Sequence, residues 1–558
     1  MSLTYEDGVG ITGSVLPWAY LAGAAAAATA LVLLSKRLLW SPTHKHGISL
    51  PPGPPATWFW ESPMPKMHVA HGLTALVERY GPVISLRRGS HVTIVIGRMD
   101  AASEIMEKEG GALVDRPHLI SAADIFSRGM RLLLEPTGDR FRRLRRAAHT
   151  HLQPKAAQTY EEIQAETAKD VILDVLNDPK RHMLHAQRYA TSVILRVTYG
   201  KTSPTSNDDP EMVRIRQVLA NFETALRPEA YLVDRIPWLK YVPGYGRQLK
   251  EFHRYELALF RDQLNRVRDD MATSNAGPSF GKTLLEHLDV HRLSDDEMAY
   301  LAGGLLGAGS DTTASGIIMM IMVAVCHPEA QARVQAELDE VVGKDRMPTF
   351  EDWNMLPQLH AFMLEALRWR PVAPLGMFPV LTLAELKQRK GSIYAYMPGF
   401  AHRATKDIIW RGQCIPAGAT VVGCHWAISR DPEVFPDPET FNPRRWLTED
   451  GRVRTDMHFY TYGFGRRYVA RSSSPSSLNL IAERWISNRV CPGQHVANRS
   501  LYINLALLLW SFRISERPEA PIDIGPSGFR DAIVFHPKPF EAEFTPRVEE
   551  EWLRELMA

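Results

Sequence analysis

Residues 15–34 are apolar almost without a break; Lys36 and Arg37 follow at once, and the charged residues ahead of the run are Glu6 and Asp7. The run matches the ~20 residues of a helix that crosses a bilayer. Basic residues behind it, with none in front, set the N-terminus outside and the rest of the chain in the cytosol. A cleaved signal peptide is the competing reading, because residues 24–28 are all alanine and offer small-residue cleavage sites. The missing basic segment and the length of the run favour an uncleaved anchor over residues 1–40. Residues 41–55 then end in Pro51-Pro52-Gly53-Pro54-Pro55, a stiff stretch that cannot continue a helix and reads as a hinge.

In the body, residues 56–558, the pattern changes. Residues 83–86 and 92–96 are short β-rich runs around Arg87-Arg88-Gly89-Ser90, a predicted hairpin, and residues 100–109 have helical composition. Most of 153–288 repeats apolar residues at helical spacing, with breaks at 204–210 and 237–243. A second long apolar run covers 298–326. Length alone would let it span a membrane, but Asp311, Thr312 and Thr313 fall at its middle, where an ionisable group in lipid is costly. A buried central helix is expected instead. The predicted fold is mainly α with a minor β-sheet, behind a single N-terminal transmembrane helix.

Charge and cysteine content narrow the chemistry. A formal charge of +2 with 23% charged residues gives no clustered basic field, so nucleic acid is not an expected partner. The four cysteines, Cys326, Cys414, Cys424 and Cys491, are widely spaced and form no C-x-x-C pair, which argues against a disulfide framework and a zinc module. A lone cysteine is by default a small inert hydrophobe. Cys491 stands apart because Arg489-Val490-Cys491-Pro492-Gly493 and the upstream Tyr462-Gly463-Phe464-Gly465-Arg466-Arg467 resemble the two halves of a haem-thiolate loop. A thiolate on haem iron pushes electron density toward the metal and favours O–O cleavage.

Three further motifs precede it in order. Ala308-Gly309-Ser310-Asp311-Thr312-Thr313 lies in the apolar run, Glu365-Ala366-Leu367-Arg368 puts a carboxylate and a guanidinium on one helical face, and Phe441-Asn442-Pro443-Arg444-Arg445-Trp446 adds a proline-fixed arginine. Singly each is weak, since surface i,i+3 pairs abound. Together, and with the hinge and anchor, they make the chain resemble the cytochrome P-450 superfamily of fungal microsomal type over essentially its whole length.

The resemblance implies haem b with Cys491 as axial thiolate and metal ligand. Phe464, Gly465, Arg489 and Gly493 would belong to the loop that cradles it, the glycines letting backbone approach the porphyrin. Glu365, Arg368 and Arg445 would form a buried ion-pair network holding that loop, a structural element costly to break. Thr312 would hydrogen-bond oxygen at the iron while Asp311 relays protons; helix-internal back-bonding is the bland alternative for both. Phe141-Arg142-Arg143-Leu144-Arg145 matches the family's Trp-x-x-x-Arg helix with Phe141 in the tryptophan's place, so Arg145 would pair a haem propionate without the indole donor. Arg140, Arg142, Arg143 and Arg146 offer a basic face for an acidic reductase, or simply a solvated one.

The implied activity is that of an oxidoreductase inserting one oxygen atom of O2 into a lipophilic small molecule, in fungal terpenoid, polyketide or aromatic metabolism. Electrons would come from NADPH through NADPH-cytochrome reductase, with cytochrome b5 as an optional second donor, on a single-pass protein of the endoplasmic reticulum membrane. By position, substrate contacts would come from 118–130, 222–233, 301–308, 372–375 and 527–529, largely apolar stretches. Desaturation, epoxidation or ring closure by the same residues is the alternative within enzymes.

Two segments break the family's spacing. Gly376 should lead almost directly to Phe400-Ala401-His402-Arg403 and Arg467 to Val490-Cys491, yet 377–399 and 468–489 intervene. The second would open the cysteine loop itself, against the need for a tightly held ligand. Codons for Gly376-Met377-Phe378 and for Arg467-Tyr468-Val469 can both contain the fungal-type donor GTATGT, and Pro398-Gly399 and Arg489 can carry in-phase acceptors. Retained introns are one reading and lineage-specific loops the other; if the segments disrupt the site, the product is a non-catalytic haem or ligand binder.

Overall fold

The computed structural model of the chain describes residue 29 and residues 44–45, 47–56, 62–65, 68–88, 91–201, 209–226, 230–375, 401–457, 459–464, 490–530 and 534–558. The expected anchor, apart from Thr29, lies outside them, as do the segments 377–399 and 468–489 and, with them, Gly465 and Arg489.

The elements used below are, in chain order, α1 (Val69–Tyr80), β1 (Val83–Arg88), β2 (His91–Ile96), α2 (Asp139–Leu152), α3 (Glu161–Asn177), α4 (His182–Tyr199), α5 (Pro210–Leu226), α6 (Arg247–Ala272), α7 (Asp295–Cys326), α8 (Pro328–Val341), α9 (Pro357–Trp369), β3 (His402–Arg403), β4 (Thr420–Gly423), α10 (Gln494–Ser511), β5 (Phe512–Glu516), β6 (Phe529–Arg530), β7 (His536–Pro537) and β8 (Ala542–Pro546). The expected β-hairpin is β1–β2, in register from Val83 opposite Ile96 to Arg88 opposite His91. It extends to a four-stranded sheet in the order β1-β2-β4-β3, with β2 and β4 parallel. Residues 99–108 are helical as expected, but their second part, Ala102–Lys108, is wound as a π-helix.

The apolar run 298–326 is the interior of α7. Ser294 caps it through a box with Glu297, and Asp295, Asp296 and Glu297 place negative charge at its positive end. At 32 residues it is about 48 Å long. Apolar residues all round suit a helix surrounded by protein, and α7 packs along α4, α6 and α10, most of it buried. Its glycines let those neighbours close in: a Cβ on Gly309 would stand 2.8 Å from Ile194 of α4, and one on Gly316 2.7 Å from Leu501 of α10. The central helix of the body, not a second span, is what the polar residues at 311–313 foretold.

The proline-rich stretch is more than a hinge. The amide and hydroxyl of Ser85 donate to the carbonyls of Pro52 (2.8 Å) and Pro51 (2.6 Å), laying residues 51–52 along β1 as an extra edge. The break foreseen at 237–243 holds, with 237–241 a short 3-10 turn; of the one at 204–210, residues 202–208 lie outside the described residues, while α4 stops at a left-handed Gly200 and α5 starts at Pro210.

Candidate active site

Glu365 and Arg368 lie on α9, whose helical spacing sets them side by side, both fully buried. Arg368 grips the carboxylate with two bonds, Nε to Oε2 at 2.8 Å and Nη2 to Oε1 at 2.7 Å. The 3-10 turn Pro443–Trp446 adds Arg445 Nε to Oε1 at 3.0 Å and Trp446 Nε1 to Oε2 at 2.8 Å, and the Asn442 amide donates to Oε1 at 2.9 Å. Arg368 Nη1 also donates to the carbonyls of Ser429 (2.7 Å) and Pro438 (2.9 Å). The structure thus brings the three sequence-chosen residues together and adds Trp446 and Asn442. The indole beside Arg445 was the signal for the fourth partner: a buried tryptophan needs an acceptor for its N–H.

The two halves of the cysteine loop also meet. The Cys491 amide donates to the Tyr462 carbonyl at 3.0 Å, which sets Cys491 beside Tyr462; the segment 468–489 lies outside the described residues. Phe464 is buried, stacked on His425 at 5.0 Å and pressed so closely on Gly423 that a Cβ there would lie 2.1 Å from its ring. His425 in turn bonds the Ala373 carbonyl at 2.9 Å through Nδ1, and burial lowers it to about 4. Beyond Cys491, Gly493 leads directly into α10, which packs on α7.

Around the sulfur, burial pushes the Cys491 thiol up, opposed by the N–H groups of Gly493 and Gln494 and the charge of Arg145. Cys491 nevertheless retains exposed surface, unlike buried Cys414 and Cys424. Arg145 projects from α2, is buried, and donates through Nη2 to the Val490 carbonyl at 2.7 Å. Its Nε has no partner among the described residues, and burial lowers its pKa. Of the four-arginine basic face, Arg142 and Arg146 are exposed; Arg140 is tied to Glu297 at 2.9 Å and Arg143 to Asp139 at 3.2 Å.

On α7, Ala308 is exposed and Asp311 and Thr312 half-buried within an otherwise buried helix. The Thr312 hydroxyl donates to the Ala308 carbonyl at 2.8 Å, the back-bonded arrangement. Asp311 points elsewhere, to Nε2 of His536 at 3.1 Å. No motif singled out His536. Of the expected substrate segments, Leu119, Ala122 and Ala123, Phe222 and Leu226, and Val372 come together in one apolar cluster, joined by Val534.

A fold with a buried central helix, a saturated Glu–Arg–Arg network and a cysteine loop opening a long helix is matched by known proteins. The cytochrome P450 family model covers residues 51–382 and 393–468, more than half of the chain. The chain belongs to the cytochrome P450 family. That match is interrupted inside 377–399 and ends at 468, where the second intervening segment begins. Cytochrome P450 monooxygenase 64 of Postia placenta is 47% identical over 90% of this chain and 92% of its own length. A cytochrome P450 monooxygenase of Armillaria gallica is 33% identical over 86% of each chain. Among solved structures, a zebrafish cytochrome P450 with progesterone superposes with a TM-score of 0.65 at 24% identity, covering 86% of this chain and 99% of that one. The protein is accordingly a monooxygenase of a family that works with haem-thiolate iron, a redox partner and lipophilic substrates.

Proposed function

We propose that Cys491 is the thiolate ligand of a haem b in this cytochrome P450, and that the enzyme oxygenates a lipophilic product of secondary metabolism. The observation that carries the assignment is the closure of the split loop by the Cys491–Tyr462 hydrogen bond, which fixes the sulfur at the head of α10. The residues present fit the group. N–H groups from Gly493 and Gln494 and the Arg145 guanidinium converge on the sulfur; the thiolate, not the thiol, is the ligand, and such donors favour it. The buried Nε of Arg145, lacking an acceptor among the described residues, suits a propionate carboxylate.

When bound, haem with a cysteine thiolate supplies the oxygen-activating chemistry. The chain's own part is positional and protonic. Asp311 holds a proton at its carboxylate and passes it on, and Thr312 orders the face of α7 beside it with its hydroxyl returned to Ala308. The Glu365–Arg368–Arg445 set pins the turn at 443–446 to α9. The apolar cluster of 119–123, 222–226, 372 and 534 excludes water and supports an apolar substrate. Exposed Arg146, and Arg142 with its long 3.8 Å pairing to Asp139, face an acidic reductase fed by NADPH, and residues 1–40 anchor the enzyme in the endoplasmic reticulum membrane with its body in the cytosol.

A carbon monoxide difference spectrum of the full chain tests the ligand: the red-shifted Soret band of thiolate ligation is expected, and its absence in folded, haem-containing protein overturns the assignment. The segments 377–399 and 468–489 are proposed as retained introns, supported by the breaks of the family match inside the first and at the start of the second. Transcript reads running through both without a gap would sink that idea.

A further inference from the structure

His536 has no part in the reading above, yet it is the side chain that holds Asp311. It lies on β7, in the hairpin where Arg530 faces His536 and Phe529 faces Pro537. That hairpin is fastened to the fold on both sides of the preceding residue: the Phe535 amide donates to the Val372 carbonyl at 2.9 Å, and the Phe535 carbonyl accepts from the Ser315 hydroxyl at 2.8 Å. Phe529 stacks on Phe535 at 4.3 Å and stiffens the hairpin further. Ser315 and Asp311 are one helical turn apart on α7, so they share a face. The hairpin therefore meets that face at two successive turns, once by backbone and once through His536 Nε2 to Asp311 Oδ1 at 3.1 Å.

We propose that His536 is a positioning residue for proton delivery: it fixes the Asp311 carboxylate in its delivering orientation. The inference rests on the reading of Asp311 as the proton-holding group. It accounts for a pairing that a purely structural staple does not require, since the Ser315–Phe535 bond already fastens the hairpin.

The test uses the holoenzyme with its reductase and reads NADPH oxidation in H2O and D2O. Two variants separate chemistry from packing: His536→Gln keeps an N–H donor near Nε2 without the ring, and His536→Phe keeps a ring without the donor. His536→Phe is expected to slow oxidation about tenfold, as for one lost polar contact to a charged group, and to raise the solvent isotope effect, while His536→Gln stays near wild type. Asp311→Asn is expected to slow it at least as much, and the Asp311→Asn/His536→Phe pair no further than Asp311→Asn alone. A readout independent of turnover is the crystal structure of the His536→Phe holoenzyme, in which the Asp311 carboxylate should leave its present orientation. Equal rates for both His536 variants, or a slower His536→Gln than His536→Phe, overturn the inference while an impaired Asp311→Asn leaves the Asp311 reading standing. An unimpaired Asp311→Asn overturns that reading instead.

Discussion

The carboxylate of Glu365 and the sulfur of Cys491 are both held by a cage of donors, and they differ in whether protein alone completes the cage. Glu365 accepts five hydrogen bonds from Arg368, Arg445, Asn442 and Trp446 and is wholly buried. Cys491 has backbone N–H groups and a guanidinium beside it, but keeps exposed surface, and its neighbour Arg145 has an Nε that no described residue satisfies. Buried polar groups in a finished scaffold are paired. On the reading of Cys491 as a haem ligand proposed above, an incomplete cage beside a complete one separates the part of the fold built to stay from the part built to receive that group.

Breaking the two cages should therefore give different failures. Cys491→Ser removes the thiolate and is expected to abolish the thiolate-type carbon monoxide band entirely, with far-ultraviolet circular dichroism unchanged. A band that survives would falsify the assignment. Glu365→Ala should fail earlier, in the fold: it leaves two buried guanidinium groups uncompensated at a cost of about 3–5 kcal/mol. Urea titration should show the midpoint falling sharply, and the carbon monoxide band should disappear with folded protein rather than ahead of it.

The margin between the two regions is sensitive to acid. His425 stacks on Phe464 at the entry to the cysteine loop, and burial holds it at about 4 against an ordinary 6.5. The unfolded chain takes up that proton first, so the stability His425 contributes is fully present above pH 6.5 and is lost as pH falls toward 4. Integrated over that window the loss is about 3 kcal/mol. His71 and His327, also lowered to about 4 by burial, add slopes of the same sign. His425→Asn keeps a short donor for the Ala373 carbonyl and cannot titrate. Its urea midpoint should change less between pH 7 and 5 than that of wild type; an identical change would show that His425 is not what senses the acid.

What the sequence disclosed divides along the same line. Glu365, Arg368 and Arg445 were legible because i,i+3 spacing on a helix and a proline-fixed turn are local patterns, and α7 was legible because polar residues amid apolar ones made sense only inside a protein. Trp446, Asn442 and Tyr462 sat beside recognised residues, but their partners come from another element or across the gap, and nothing in local spacing reports that. His536 was further out of reach: it meets Asp311 only because a β-hairpin lies across α7, a contact between residues more than two hundred positions apart. The same limit applies to the Cys491–Tyr462 bond, which joins residues on either side of the undescribed segment.

The finest test of the comparison removes one donor from the saturated cage. Trp446→Phe deletes the Nε1–H that reaches Glu365 Oε2 at 2.8 Å and leaves a smaller ring in a fully buried site, so a cavity is created as well. A hydrogen bond to a charged group is worth about 1.5–3 kcal/mol, but Oε2 keeps Arg368 Nε and Oε1 keeps three further donors. The lost bond contributes at the lower end of that range and the cavity adds to it, read together as a fall in urea midpoint smaller than that of Glu365→Ala. The carbon monoxide band of the remaining folded protein should be unaltered in position, because the indole touches the network and not the sulfur. A band that moves would mean that the Glu365 cage tunes the cysteine loop directly, and that the two regions form a single unit instead of a scaffold and a receiving site.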